Sequence, residues 1–303
     1  MGAILRKNIG RLAVLFVSKA IFACPAIAAT QNPIPDFSGK WWRNAMDPEL
    51  PASGPKPLVN LTRKDNDPHP NMGGDPLPLV GDYNNPILKP KAVEAVKKAG
   101  ELSAGGKINP DPSNQCAPYQ PPYLFTIQLG VEMLQLKDQI VMLYPQDDQV
   151  RRVRMNAAHP KNLIPSAMGD SVGHYEGDTL VIDTVGIKLG PVTMVDRYGT
   201  PQSEALHLVE RYRLIDVADA KVAMEQHQVR AGIAGAAPFD PNHRGLQLQY
   251  TVEDPNVFTM PWSAQITYRR TTLPWAEQVC AENIVEYWPG MNIGVPKANK
   301  PDF

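Results

Sequence analysis

Proline limits what the first third of this 303-residue chain can fold into. Of the 31 prolines, 17 lie between residues 31 and 122. Because proline fixes φ and has no backbone donor, we expect little regular structure in this segment. The exception is residues 90–104, where Pro90 stands at a first helical position and apolar residues recur along one side, so the pattern predicts one short helix. We expect residues 29–122 to form an arm that wraps the domain after it.

Short apolar runs separated by turn residues follow from residue 123 onward, at a spacing typical of antiparallel sheets. The clearest pair is a hairpin in which residues 176–178 reverse the chain between runs at 173–176 and 179–185. The other predicted strands are 124–129, 132–136, 139–144, 150–155, 205–215, 221–230, 246–253 and 264–271.

This pattern predicts the fold class of residues 123–303 as all-β, in the form of an antiparallel β-barrel of the lipocalin-like kind. No long helical pattern separates the strands, which argues against a βαβ fold. A sandwich is the alternative, because spacing alone does not show whether the first and last strands meet.

Residues 1–28 have the composition of a secretory signal peptide. Three basic residues precede an apolar run, and Ala26-Ile27-Ala28 has the small residues of a cleavage site. Lys19 keeps any uninterrupted apolar run well below the roughly 20 residues that a membrane span needs. A retained anchor and a lipoprotein cleavage at Cys24 are the alternatives. We expect a periplasmic or secreted protein with no stable membrane anchor after signal cleavage.

The charge balance gives no electrostatic reason to expect a phosphate backbone as partner, so we predict no nucleic-acid binding. Lys and Arg number 30 against 31 Asp and Glu, for a net charge of -1. Removing residues 1–28 removes four basic residues and no acidic ones, which brings the net charge to -5. Neither value attracts a phosphate backbone. Phosphate-binding loops and the HExxH and CxxC motifs do not occur in the sequence, so no cofactor is predicted.

Signal cleavage would also remove Cys24 and leave Cys116 and Cys280. In an oxidising compartment two remaining cysteines favour one disulfide, with two buried thiols as the alternative. The six histidines show no i, i+2 or i, i+4 pair, so local spacing predicts no metal site, and a site whose ligands converge from separate strands is the alternative. We assign His159 and His243 to loops and His69 to the arm.

Five motifs in sequence order resemble a broad family of exported bacterial β-rich proteins of undefined function. They are DFSGKWW from Asp36, GHYEGDTLVIDT from Gly173, LHLVERY from Leu206, TVEDP from Thr251 with Pro261-Trp262, and VCAEN from Val279. The resemblance spans nearly all of the chain after residue 28. It implies a barrel-like exported domain, and it implies neither a reaction nor catalytic residues.

The candidate site combines His, Asp and Arg side chains on the predicted hairpin and on the later strand 205–215. If residues 176–178 turn the hairpin, His174 and Asp183 lie near each other on one sheet. Alternation along strand 205–215 puts His207 and Arg211 on one face and Glu210 on the other. We predict that the polar face points into the barrel, where a histidine beside a carboxylate acts as general acid or base and Arg211 holds an anionic oxygen. Cross-strand ion pairs on a solvated face are the alternative.

Large aromatic residues could line such a cavity. We select Trp41, Trp262, Tyr123 and Tyr144 as substrate-binding candidates, with core packing as the alternative. The resulting hypothesis is a barrel that encloses a small apolar or aromatic molecule and performs cofactor-free acid–base chemistry, as a lyase, isomerase or hydrolase. One competing hypothesis is a periplasmic small-molecule binding protein that catalyses nothing. Another is an envelope assembly partner in which the same polar face is only structural.

Overall fold

The computed structural model describes Gly2 and residues 34–43, 46–62, 78–231, 242–272, 274–275 and 279–280. Apart from Gly2, the predicted signal peptide 1–28 lies outside the described residues, as do His69, motif residues 281–283 and the side chain of His227. Nine strands form a closed barrel in which each strand pairs with the next and the last pairs with the first.

The strands are β1 Gly39–Trp42, β2 Gly130–Gln135, β3 Gln139–Tyr144, β4 Gln149–Met155, β5 Asp170–Glu176, β6 Thr179–Val185, β7 His207–Ile215, β8 Gly245–Glu253 and β9 Trp262–Arg270. The helices are α1 Pro90–Ala104, α2 Leu124–Ile127 and α3 Val217–Ala231. The predicted barrel is confirmed, and closure between β1 and β9 decides against the sandwich. One neighbouring pair, β4 with β5, is parallel and the others are antiparallel.

The Pro-rich segment supplies β1, a strand that the sequence analysis did not predict. Trp41 pairs with Val131 of β2 on one side and with Arg270 of β9 on the other. No proline occurs between Pro35 and Pro48, so the backbone donors that this short strand needs are present. The four residues of β1 therefore close the barrel.

One of the three helices was predicted from the sequence, and the other two were predicted as strands. Helix α1 has the predicted bounds, begins with Pro90 and buries Ala92 and Val96. The predicted strands 124–129 and 221–230 are wrong, because the chain is helical there in α2 and α3. In α3 the buried residues Ala220 and Met224 are four positions apart, which is a helical spacing.

Alternate side chains of each strand fill the barrel interior. In β6 these are Leu180, Ile182 and Thr184, and all three are buried. In β8 and β9 the buried set includes Leu248 and Ile266, which lie opposite each other. The outward-facing side chains of β5 to β9 form a largely polar wall, and this outer wall carries the candidate site.

Candidate functional site

The polar face of β7 lies on the outside of the barrel, not inside it as predicted. Leu208, Glu210 and Tyr212 are buried in the interior, whereas His207 and Arg211 lie on the outer wall. The predicted alternation is correct, but its assignment to inside and outside is wrong. Facing Leu208 and Tyr212 inward buries apolar surface, and only one charge of β7, that of Glu210, then has to find a buried partner.

His174 and Arg211 are joined through Glu176 at the turn end of the hairpin. The Nε2 atom of His174 lies 3.1 Å from Glu176 Oε1, and Nη2 of Arg211 donates to Glu176 Oε2 at 2.6 Å. These hydrogen bonds, the one from Arg211 first, lower the pKa of Glu176. His174 and Asp183 lie two register positions apart on the paired strands β5 and β6, as predicted. His174 is 52% exposed, however, so its predicted orientation into a cavity is wrong.

Asp183 instead lies between two other histidines. Its Oδ2 atom is 2.8 Å from Nε2 of His207, and its Oδ1 atom is 2.9 Å from Nε2 of His159. The second ring nitrogen of His159, Nδ1, is 2.6 Å from Oδ1 of Asp170. We call these four residues, His159, Asp170, Asp183 and His207, the Asp183 cluster. Arg154 closes one end through two hydrogen bonds to the carboxylate of Asp170, at 2.8 and 3.0 Å.

Four parts of the chain position the Asp183 cluster. Asp183 points outward from the middle of β6, opposite Val209 of β7, and His207 is the first residue of β7. Asp170 is the first residue of β5. His159 belongs to the connection 156–169, which must return along the barrel because β4 and β5 are parallel. His159 thus lies in a loop, as predicted, and the return of that loop places it against Asp183 on the outer wall.

The pKa shifts in this cluster follow from its alternating charges. Burial lowers the pKa of His159, but the hydrogen bonds and charges of Asp170 and Asp183 outweigh that effect, so its pKa is raised. Burial raises the pKa of Asp183, but His207 and His159 outweigh it and the pKa is lowered. The side chains of His159, His207 and Asp183 are 26%, 34% and 36% exposed, so the cluster is shielded and still reachable from solvent.

The two histidines differ in their free hydrogen-bonding capacity. Both ring nitrogens of His159 are within hydrogen-bond distance of a carboxylate. The Nδ1 atom of His207 has Glu253 Oε2 at 3.6 Å, beyond hydrogen-bond distance, and no described residue lies closer as a partner. His207 Nδ1 is therefore the ring nitrogen of this cluster that can exchange a proton with a bound molecule.

A buried ion pair that the sequence analysis did not predict occupies the barrel interior. Arg151 of β4 donates to both carboxylate oxygens of Glu210, at 2.9 and 2.5 Å, and both side chains are 0% exposed. Arg151 also donates to Ser171 and Thr184, and Tyr212 donates to Glu210. Burial lowers the pKa of Arg151, but the charge of Glu210 outweighs it and the pKa is raised. The alternation of Arg151 with Val153 and Met155 was the signal for this inward arginine.

The four aromatic residues selected as ligand contacts are placed in the packed core. Trp41, Tyr123, Tyr144 and Trp262 are all buried. Trp262 lies edge-on to Tyr250 and Phe258, with ring centroids 6.0 and 5.8 Å away. The geometry supports the packing alternative for these residues.

The predicted disulfide between Cys116 and Cys280 is present, with Cα atoms 5.5 Å apart. The backbone N–H of Cys280 also donates to Asp147 at 2.7 Å. Within the described part of the chain, no group of three or more His, Cys, Asp or Glu side chains is arranged to hold a metal ion. Over the same residues, no helix combines the length and apolar character of a membrane span.

Comparisons of the chain with protein-family models, with curated proteins and with solved structures found no significant match. The family resemblance of the five motifs therefore stays a hypothesis, and function has to be argued from the Asp183 cluster itself.

Proposed function

We propose that this protein is an exported barrel that transfers protons to or from a small molecule at the Asp183 cluster, without a cofactor. The observation that carries the proposal is the arrangement of Asp183 between His207 and His159, with Nδ1 of His207 3.6 Å from Glu253 and not hydrogen-bonded to any described residue. This proposal retains the acid–base chemistry predicted from the sequence and moves it to the outer wall.

Each residue has a role in the proposed proton transfer. A carboxylate that accepts the Nε2 proton of a neutral imidazole leaves Nδ1 unprotonated, as an acceptor. Asp183 would select this tautomer of His207 and stabilise the imidazolium that forms when Nδ1 takes a proton. His159, held by Asp170, would keep the Asp183 carboxylate ionised and oriented. The reaction class is that of a lyase, isomerase or hydrolase.

The outer wall also changes the expected substrate. The hypothesis of an enclosed apolar or aromatic molecule relied on His174, His207 and Arg211 facing inward, and all three lie on the outer wall. A molecule that reaches His207 meets Glu253 and Asp183, which favour a polar substrate. A binding protein without catalysis is the second candidate, and a polar cleft on the same wall, described below, favours it.

Export is proposed from the signal-like composition of residues 1–28 together with the disulfide. A single disulfide that joins distant parts of a chain persists in an oxidising compartment and rarely in the cytosol. Amino-terminal sequencing of the protein from its native envelope fraction should give Ala29 as the first residue. An intact Met1 in the mature protein would argue against signal cleavage.

The test of proton transfer compares two histidine variants on a panel of polar hydrolase, lyase and isomerase substrates. His207→Gln keeps an amide donor near the Nε2 position and removes the basic Nδ1, so turnover should fall by about 100-fold or more. His174→Gln, on the same wall and outside the cluster, is the matched control and should keep the wild-type rate. Equal turnover by wild type and His207→Gln would overturn the proposal.

A further inference from the structure

A polar cleft of about 420 Å³ lies on the outer wall beside the hairpin end of β7. Its floor is formed by Arg211, Arg213, Gln247, Gln249 and Gln265, and residues 51–53 of the Pro-rich segment form another side. The volume lies within the range of about 300 to 1,000 Å³ that is usual for small-molecule sites. The lining is unusual in having two guanidinium groups and three amides and no large apolar side chain.

Hydrogen bonds within the protein hold this cleft in shape. Arg213 Nε donates to Gln247 Oε1 at 2.8 Å, and Gln247 is itself buried. On the opposite side, Glu49 accepts hydrogen bonds from the side chain of Gln265 and from the backbone of Thr267, both at 2.8 Å. These bonds attach the segment that leads to residues 51–53 to β9. Burial raises the pKa of Glu49, and both oxygens of its carboxylate accept hydrogen bonds from Gln265 or Thr267.

The charges in the cleft favour an anion. Arg211 already shares its charge with Glu176, at 2.6 Å. The Nε atom of Arg213 donates to Gln247, and no described residue accepts a hydrogen bond from the two terminal nitrogens of Arg213. A guanidinium with both terminal nitrogens available matches the two oxygens of a carboxylate. The side chain of Gln249 is exposed and has no described partner, so it adds a donor and an acceptor for hydroxyl groups.

We propose that this cleft binds a small polyhydroxylated carboxylate, of the sugar-acid class, with the carboxylate on Arg213 and hydroxyl groups on the glutamine amides. The same chemistry is offered by a free hexuronate and by the acidic end of an oligosaccharide. Arg211 is two residues from Val209, which faces Asp183, so the cleft begins about 7 Å along the strand from the Asp183 cluster. The inference does not rest on the proposed proton transfer, because binding requires no turnover.

The test is calorimetric titration of the full chain with glucuronate, galacturonate, gluconate and digalacturonate, with glucose as the neutral probe. At least one acid should bind, and about tenfold or more tighter than glucose, because a charge-assisted hydrogen-bond pair distinguishes the two. Binding of the disaccharide alone would identify an oligosaccharide end as the source. No binding by any of these acids, or equal binding of glucose, would overturn the proposal.

Two arginine variants locate the site. Arg213→Gln should weaken binding of the acid by about tenfold or more, since it removes the charge and keeps a hydrogen-bonding amide. Arg152→Gln removes the same charge from an exposed arginine of β4 that does not line the cleft, and should bind as wild type does. Equal loss in both variants, or no loss in Arg213→Gln, would contradict the assignment. His207→Gln should retain binding, which separates failure of this inference from failure of proton transfer.

Discussion

Glu210 accepts two hydrogen bonds from Arg151 in the middle of the barrel, at 2.9 and 2.5 Å, although the two residues are 59 positions apart in the chain. The pair joins β4 to β7 across the interior, and Ser171, Thr184 and Tyr212 satisfy its remaining hydrogen-bonding groups. A buried charge is tolerated only while its partner is present.

Removal of one member of this pair should therefore destabilise the barrel strongly. Glu210→Ala leaves the guanidinium of Arg151 buried without a counter-charge, which costs about 3 to 5 kcal/mol of the free energy of unfolding. Chemical denaturation measures the loss. Glu176→Ala, which removes the exposed partner of Arg211, is the matched control and should have a much smaller effect. A Glu210→Ala variant with the wild-type midpoint would show that the pair does not hold the fold.

The disulfide should stabilise the fold, because it closes a long loop of the unfolded chain. Cys116 and Cys280 are 164 positions apart, and loss of a native disulfide costs about 2 to 5 kcal/mol. The double variant Cys116→Ala, Cys280→Ala should accordingly melt at a lower temperature than the oxidised protein. Reduction of the wild type should lower its melting temperature by a similar amount, and reduction of the double variant should change nothing. Two free thiols in the exported protein, detected by mass analysis, would mean that the bond does not form.

His159 should make stability depend on pH around neutrality. Its folded-state pKa is raised above the unfolded value of about 6.5, so its stabilising contribution is complete below pH 6.5 and is lost as the pH rises through the folded pKa. The free energy of unfolding, measured by denaturation from pH 5 to 9, should fall over that window. His159→Gln should flatten this fall, whereas His174→Gln should retain it. An unchanged pH dependence in His159→Gln would place the titrating group elsewhere.

Asp196 should make the free energy of unfolding depend on pH in a lower range than His159 does. Burial raises its pKa from 3.8 to about 6, although the side chain accepts hydrogen bonds from Thr200 and from the backbone of Tyr198. At a pH between these two pKa values, Asp196 is protonated in the folded state and ionised in the unfolded state. The free energy of unfolding therefore falls as the pH rises from about 4 to about 6.

The size of this effect is about 3 kcal/mol, at 1.36 kcal/mol for each unit of pKa difference. Asp196→Asn carries no titrating group, so the difference between its unfolding free energy and that of the wild type should change by this amount over the window. A constant difference across pH 4 to 6 would show that the Asp196 pKa is not raised.

The sequence predicted those strands and helices whose residues show a clear pattern of their own. Strand β3 and helix α1 have the bounds expected from the sequence, because alternation and a Pro90 start are properties of neighbouring residues. Strand β1 was not predicted, because four residues among prolines give no pattern of their own, and they become a strand by pairing with β2 and β9.

The site depended on relationships that no local pattern contains. Alternation correctly separated His207 from Glu210, but Glu210 can face inward only because Arg151 on a distant strand pairs with it there. His159 reaches Asp183 only because β4 and β5 run parallel, and nothing in the connecting residues indicates that direction. The pairing of His207 with Asp183 was within reach of the sequence, since both lie on neighbouring outward positions of adjacent strands.

The seam between β1 and β9 has a consequence for how the molecule is assembled. Trp41 meets Arg270, so the first strand has no partner on that side until the last strand has been synthesised, about 230 residues later. A contact that spans so much of the chain is slow to form, because the whole intervening loop has to be ordered before it is gained. Removing either strand would open the barrel wall at the same place, because β1 and β9 are direct neighbours in the closed sheet.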